Sequence, residues 1–265
     1  MGVHGVAAAG VREARVDPLL ADRVVEALLL VGLPVAHGGH GPGVHLFATG
    51  TDGSGGTADR ERWPVTLRWL CSARLEDAAA AAGAGSGSPW PRTRQLVVNS
   101  VETALAEFLP ALGLSATRTA PDGPTLVGPG EDAAQAAAGA GAFAAAPGAS
   151  AGEPAAMVLL PEEVVAAVRR GAALAGLPLA RHARAAGVAL TACPPSPGAD
   201  ADADTVPVAD AAWRSSPQLP DTPAVSTAVR EAMHHAVGTA LTACGLRTSW
   251  HRPPDAAPHL HVADR

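Results

Sequence analysis

The sequence predicts an α+β protein made of two tandem, related halves that pack as a pseudo-dimer. Three observations support this fold class. Signals for helices and strands follow the same order in both halves, short sequence patterns recur at a fixed distance, and a segment of almost pure Ala, Gly and Pro separates the copies. Residues 1–128 are predicted to form the first α+β repeat, residues 129–155 a linker, and residues 156–265 the second repeat.

The internal repeat is carried by short stretches that match between the two halves. The matched pairs are residues 31–36 with 175–180, residues 43–46 with 187–190, Trp69-x-x-Ser72-x-x-Leu75 with Trp213-x-x-Ser216-x-x-Leu219, and Gly113-Leu114 with Gly245-Leu246. The first three pairs are 144 residues apart, and the fourth is 132 apart because the first copy contains a longer loop. Two such halves resemble a fused homodimer, so we expect them to pack about a pseudo-two-fold axis.

Each copy is predicted to begin with a helix. The first helix starts at Asp17-Pro18 and the second at residues 160–163, because Pro suits the first helical turn and early acidic residues suit the helix dipole. The helices end at Gly32 and Gly176. In each Gly-Leu-Pro sequence the Gly can take the left-handed conformation, the Leu folds back on the last turn, and the Pro prevents continuation.

Two strands, a second helix and a closing strand or hairpin complete each copy. Short apolar runs predict the strands: residues 44–49, 65–71, 117–120 and 125–127 in the first copy, and 188–193, 206–213, 248–251 and 259–262 in the second. Helical spacing of apolar residues predicts the second helix from Thr222-Pro223 onward, matched by residues 97–112. The order is αββαβ. A strand at residues 13–16 and 156–159 would make it βαββαβ, the ferredoxin-like arrangement.

Composition excludes several functional classes. All 19 basic residues are arginine, they face 25 acidic residues for a net charge of -6, and tyrosine is absent. Without lysine the chain cannot be a Schiff-base enzyme, a P-loop ATPase or a kinase, and without tyrosine it has no Tyr general acid. Because aromatic residues make up only 3% and the charge is negative, we expect no nucleic acid and no anionic membrane as partner.

The sequence indicates a cytoplasmic location. No apolar run approaches the roughly 18 residues that a membrane span needs. The N-terminal residues lack the basic region of a secretory signal. Cys71, Cys193 and Cys244 are odd in number and far apart, which fits a reducing compartment better than a disulfide framework.

Two groups of histidines are candidate metal ligands. His37, His40 and His45 lie close together, and the first two have a workable spacing for zinc if the loop curls. Against this site, the second copy has no histidines at the matching positions, and no HExxH motif supplies a catalytic glutamate. His259 and His261 alternate in a predicted strand and share one face, but no carboxylate at a convincing spacing identifies a third ligand. The alternatives are incidental loop histidines and a polar strand face.

Both copies keep a tryptophan and a serine in a chain with few aromatic residues. Trp69, Ser72, Trp213 and Ser216 are therefore candidates for lining a ligand groove at the junction of the halves, with the indoles supplying area and the hydroxyls a directional bond. The structural alternative is that each Trp anchors the core and each Ser caps the segment that follows. The sequence favours the structural alternative.

The sequence contains no complete catalytic constellation. We therefore expect a non-enzymatic binding or regulatory protein, without a cofactor, that binds a protein partner or a small molecule between its halves. The alternative is a metal-dependent enzyme that holds zinc with the histidines, and a third hypothesis is a degenerate paralogue of an enzyme. The oligomeric state is left open, with a homodimer as one arrangement.

Overall fold

Five α-helices and eight β-strands make up the regular structure of the residues that the computed structural model describes, which are 17–36, 41–49, 63–82, 87–118, 120–130, 160–182, 184–192, 209–220, 222–251 and 259–263. The helices are α1 (Pro18–Val31), α2 (Ala73–Ala81), α3 (Trp90–Phe108), α4 (Glu162–Ala175) and α5 (Pro223–Ala243), and a 3-10 helix (Leu109–Leu112) follows α3. The strands are β1 (Gly43–Ala48), β2 (Val65–Leu70), β3 (Leu114–Arg118), β4 (Thr125–Pro129), β5 (Gly187–Ala192), β6 (Ala209–Arg214), β7 (Arg247–His251) and β8 (His259–Ala263).

The strands form two four-stranded antiparallel sheets with the same order. The first sheet runs β1-β2-β4-β3 and the second runs β5-β6-β8-β7. Equivalent pairs also share their register: Val44 lies opposite Trp69, and Val188 lies opposite Trp213. The predicted α+β class is therefore confirmed, and each half contains one sheet.

Helices α1 and α4 begin and end near the predicted residues. The carboxylate of Asp17 accepts a hydrogen bond from the Leu19 N–H at 3.0 Å, which caps the free end of α1. Gly32 and Gly176 take the left-handed conformation, with φ of 92° and 80°. A side chain would be strained there, so glycine is the residue that allows the chain to turn out of each helix.

The two halves share one hydrophobic core. Helix α3 packs on the first sheet, α5 packs on the second, and the two helices pack against each other, so the layers run sheet, helix, helix, sheet. The apolar stripe predicted for this segment is Val225, Val229, Met233, Val237, Leu241 and Cys244; the four central residues are buried, whereas Val225 and Cys244 are half-buried. Burying such side chains stabilises the fold by about 1.5–3 kcal/mol each. The two halves therefore pack on each other through a continuous apolar layer.

The described elements extend the predicted order. Each half ends in a pair of antiparallel strands, so the order is αββαββ, with the short helix α2 added in the first half. Residues 13–16 and 156–159, which would supply the additional strand of a ferredoxin-like arrangement, lie outside the described residues. Strand β4 ends at Pro129, and residues 131–155 of the predicted linker also lie outside them.

Candidate functional site

The two tryptophans at matching positions, Trp69 and Trp213, lie at the junction of the halves. The indole N–H of Trp69 donates to the carbonyl of Ala175 at 2.9 Å, and the indole N–H of Trp213 donates to the carbonyl of Val31 at 2.8 Å. Each carbonyl belongs to the last turn of the opposite half's first helix, where backbone acceptors have no partner within the helix. The two tryptophans thus make reciprocal bonds across the junction.

The serines make the same kind of contact. The Ser72 hydroxyl donates to the Leu174 carbonyl at 3.0 Å, and the Ser72 N–H donates to the same oxygen at 3.1 Å. Ser72 is also the N-cap of α2, accepting from the Leu75 N–H at 3.4 Å. On the other side, the Ser216 N–H donates to the Leu30 carbonyl at 2.9 Å. The structure thus brings the four predicted residues to the junction, and the bonds that they make across it are to backbone carbonyls.

A cleft of about 380 Å³ opens beside this junction. We call it the inter-half cleft. Its lining residues are Ser72, Arg74, Ala167, Arg170, Gly171, Ala173, Leu174, Cys244, Gly245 and Leu246. The two arginines are exposed at its edge, whereas Gly171 and Leu246 are buried in its floor. An apolar floor with two cations at the rim suits a ligand that has an apolar body and an anionic group.

The matching positions of the two halves carry different residues at the inter-half cleft. In the first half Arg23 donates to the Gly113 carbonyl at 2.9 Å. At the repeat distances of 144 and 132, Arg23 corresponds to Ala167 and Gly113 to Gly245. Both of these second-half residues line the cleft. A small side chain therefore stands where the first half has a long one.

The thiols near the junction are not activated. Burial raises the pKa of the Cys71 thiol to about 12, and the carboxylate of Glu76 acts in the same direction. Burial also raises the pKa of Cys244, which lines the cleft, to about 11. Both thiols are therefore protonated near neutral pH, and a protonated thiol is a poor nucleophile.

The first predicted histidine group is described only in part. His45 is 2% exposed, its Nε2 lies 2.9 Å from the Gly41 carbonyl oxygen, and its ring stacks on Phe47 with centroids 6.2 Å apart. His37 and His40 lie outside the described residues. The contacts of His45 are those of a packed and hydrogen-bonded side chain.

The second predicted histidine group gains a carboxylate from a neighbouring strand. His259 and His261 lie on one face of β8 with ring centroids 5.2 Å apart. Strand β6 places Asp210 directly opposite His261. Its Oδ1 lies 3.3 Å from Nε2 of His261 and 3.6 Å from Nε2 of His259. The triad of Asp210, His259 and His261 thus holds three donor atoms within 4.8 Å of one another. Sequence reasoning missed Asp210.

The sequence also left unidentified a buried polar residue at the same place in each central helix. Glu102 on α3 and His234 on α5 are 132 residues apart and are 3% and 2% exposed. Glu102 accepts from the Trp69 N–H at 3.1 Å and lies 3.7 Å from Arg118. Burial raises its pKa to about 7, although the Trp69 N–H and Arg118 favour the charged form.

His234 has a different environment. Its ring is tilted against Trp250 with centroids 5.9 Å apart, and its Nε2 is buried without a hydrogen-bond partner. Burial lowers its pKa to about 4, and the charges of Arg230 and His259 act in the same direction. The imidazole is therefore neutral near pH 7.

Comparison with known proteins identifies no relative. No family model, curated protein or solved structure matches the chain. In the part of the chain that the structure describes, no helix has the length and apolarity needed to cross a membrane. What can be said of function therefore comes from the chain's own residues.

Proposed function

We propose that the protein is a non-enzymatic binding protein, built from an internal duplication, that holds a small anionic molecule in the inter-half cleft. The observation that carries this proposal is the cleft itself, because it lies at the junction of the halves and combines an apolar floor with two arginines. The wide spacing of three cysteines supports a reducing cytoplasm as its location.

The internal duplication is supported by geometry as well as by sequence. The two sheets have the same strand order, and the pairs Val44 with Trp69 and Val188 with Trp213 are related by the repeat distance of 144. Reciprocal indole bonds also join each half to the other. Reciprocal contacts of this kind are expected where two copies of one unit pack about a two-fold axis.

The charge of the cleft favours an anionic ligand. Arg74 and Arg170 are both among the lining residues, and no carboxylate is among them. A guanidinium offers a planar fork of N–H donors that matches a carboxylate, sulfonate or phosphate group. Leu174 and Leu246 provide the apolar surface for the rest of the molecule.

The same residues favour binding over bond breaking. The lining residues include no imidazole, and the single thiol, Cys244, stays protonated near neutral pH because burial raises its pKa to about 11. A general base or an activated nucleophile would be needed for acyl or phosphoryl transfer. The cleft residues are instead suited to holding a molecule.

An aromatic sulfonate tests the proposal. 8-Anilinonaphthalene-1-sulfonate joins an anionic group to an apolar body, and its fluorescence reports binding. We expect the double variant Arg74→Ala/Arg170→Ala to bind it about tenfold more weakly or worse, since each charge-assisted hydrogen bond contributes about 1.5–3 kcal/mol. Arg169→Ala is the matched control, because it removes an exposed arginine of the same helix that does not line the cleft.

A second variant closes the cleft without removing its arginines. Ala167→Arg places in the second half the residue that Arg23 provides in the first, so it should fold and fill the cleft. We expect it to abolish dye binding while leaving the circular dichroism spectrum unchanged. Wild-type affinity in Ala167→Arg would overturn the proposal. Native mass spectrometry of the untagged chain should likewise show any copurified small molecule in the wild type and not in this variant.

A further inference from the structure

We propose that Asp210, His259 and His261 form a binding site for one divalent transition-metal ion in the second half of the protein. This inference is independent of the ligand in the inter-half cleft, since the triad shares no residue with the lining of that cleft. It rests on the positions of the donor atoms, on the burial of the carboxylate, and on a comparison with the first half.

The sheet brings the three donors together. Alternate residues of a strand point to the same face, so His259 and His261 project from β8 together. Asp210 lies opposite His261 on β6, and directly opposed side chains of antiparallel strands are close neighbours. All three side chains therefore project from the face of the sheet opposite to Leu260, which packs against Gly238 of α5.

The distances fit ligands that share one ion. Zinc lies about 2.0–2.2 Å from imidazole nitrogen and carboxylate oxygen, so two ligands of a tetrahedral ion are roughly 3.3 Å apart. Oδ1 of Asp210 lies 3.3 Å and 3.6 Å from the Nε2 atoms of His261 and His259. All the donors lie within 4.8 Å of one another, so an ion that binds here would draw the two imidazole nitrogens closer together.

The carboxylate of Asp210 has a buried oxygen that makes no hydrogen bond. Oδ1 of Asp210 is buried and has no hydrogen-bond partner, although the side chain as a whole is 14% exposed. A buried polar atom without a hydrogen bond destabilises a protein by about 1–3 kcal/mol, and more when it is charged. A cation placed between Oδ1 and the two imidazoles would satisfy this atom.

The donor set indicates the class of metal. Two imidazoles and one carboxylate suit zinc, iron(II) or cobalt(II), whereas magnesium and calcium prefer oxygen ligands alone. His259 and His261 are 21% and 26% exposed, so one side of the triad is open to solvent. Three protein ligands with an open position are typical of metal sites that bind a water molecule or a substrate.

The first half does not repeat the triad. Thr66 corresponds to Asp210 and pairs with Leu126, just as Asp210 pairs with His261. Two residues before Leu126 stands Pro124, in the place of His259. Since none of these three first-half residues has an imidazole or a carboxylate, we expect one ion per chain.

Calorimetric titration of the untagged full chain with zinc chloride, after treatment with EDTA and dialysis, tests the site. We expect one zinc ion per chain. Asp210→Asn, which keeps the shape of the side chain, and His261→Ala should each weaken binding about tenfold or more. His235→Ala, an exposed histidine of α5, and the double variant His37→Ala/His40→Ala should bind zinc as the wild type does.

Cobalt(II) gives a second readout that does not depend on any variant. A cobalt ion held by two imidazoles and a carboxylate in the wild type should show the intense visible absorption of a four- or five-coordinate ion, and zinc should displace it. Two results would overturn the proposal. One is a wild type that binds no zinc at about 100 μM, which corresponds to a binding free energy weaker than roughly -5.5 kcal/mol. The other is undiminished binding in both Asp210→Asn and His261→Ala, which would leave the triad as an ion-paired cluster only.

Discussion

Replacing Glu102 by glutamine should stabilise the protein at alkaline pH and leave its stability nearly unchanged at pH 4.5. The side chain is 3% exposed, and this burial raises its pKa from 4.5 to about 7. The raised pKa shows that the loss of hydration outweighs the attraction of Arg118, which lies 3.7 Å away, and the hydrogen bond from the Trp69 N–H. The ionised carboxylate therefore destabilises the folded chain relative to the neutral acid.

The sign and size of the effect follow from the two pKa values. In the unfolded chain the carboxyl group ionises near pH 4.5, whereas in the folded chain it holds its proton up to about pH 7. Stability from this group is thus present below pH 4.5 and is lost as the pH rises through 7. Each pKa unit is worth about 1.4 kcal/mol, so the loss amounts to about 3 kcal/mol. Glutamine keeps an oxygen that accepts from Trp69 and does not ionise.

Urea unfolding followed by circular dichroism, with EDTA present, measures this difference between pH 4.5 and about pH 8. The free energy of unfolding of Glu102→Gln minus that of the wild type should rise by about 3 kcal/mol across this range. Glu107→Gln on the same helix is the control, because this glutamate is exposed and its replacement should change stability little. A difference that is constant with pH would refute the reasoning, and one that falls with pH would show that Arg118 outweighs burial.

Two further predictions concern the junction of the halves. Trp69→Phe removes the indole N–H that donates to the Ala175 carbonyl at 2.9 Å. It should lower the free energy of unfolding, measured in urea, by about 1–3 kcal/mol. Trp90→Phe, at an exposed position, is the control and should lower it far less. Gly32→Ala adds a Cβ 2.3 Å from a methyl carbon of the other half, and Gly245→Ala adds one in open space at a similar positive φ. Both variants place alanine at a positive φ, which costs about 1–2 kcal/mol, so the additional steric contact should make the melting temperature fall further in Gly32→Ala. An equal fall in the two variants would contradict the close approach at Gly32.

Much of the fold was accessible from the sequence because its signals are local. The Gly-Leu-Pro sequences determine where α1 and α4 end, and the observed ends lie at Gly32 and Gly176. Helix α2 was not predicted, since it is a run of mostly alanine in which Leu75 is the only buried residue and no apolar stripe forms. Strand β3 begins at Leu114, earlier than the predicted residue 117, because Gly113 ends the 3-10 helix in a left-handed conformation and the strand follows at once.

The candidate sites were less accessible because they depend on which strands are neighbours. His259 and His261 share a face by simple alternation, which the sequence shows. Asp210 joins them only because β6 pairs with β8 in one particular register. The pairing of strands that are distant in the chain cannot be predicted from the local sequence pattern. A weak signal was present, since Asp210 stands between two buried alanines and so occupies the opposite face of its strand.

Positions with the same residue in both halves have a different structural role from positions where the residues differ. The matching tryptophans, serines and Gly-Leu-Pro sequences make hydrogen bonds and close contacts at the junction of the halves. At two positions where the halves differ, the second-half residue either lines the cleft or has a buried oxygen without a hydrogen bond. Ala167, which lines the cleft, stands in place of Arg23, and Asp210, which has a buried oxygen without a hydrogen bond, stands in place of Thr66.

The central helices extend this contrast. The first half fills its polar position with Glu102 and pairs it with Arg118, whereas the second half has His234 packed on Trp250 with one nitrogen left without a partner. Buried polar atoms without a hydrogen bond are costly, and among the described residues the two such side-chain atoms, on Asp210 and His234, both lie in the second half, which needs a physical reason. The metal site that we propose at Asp210, His259 and His261 would supply that reason for Asp210. The two proposals then have separate tests, since closing the cleft with Ala167→Arg leaves Asp210 untouched.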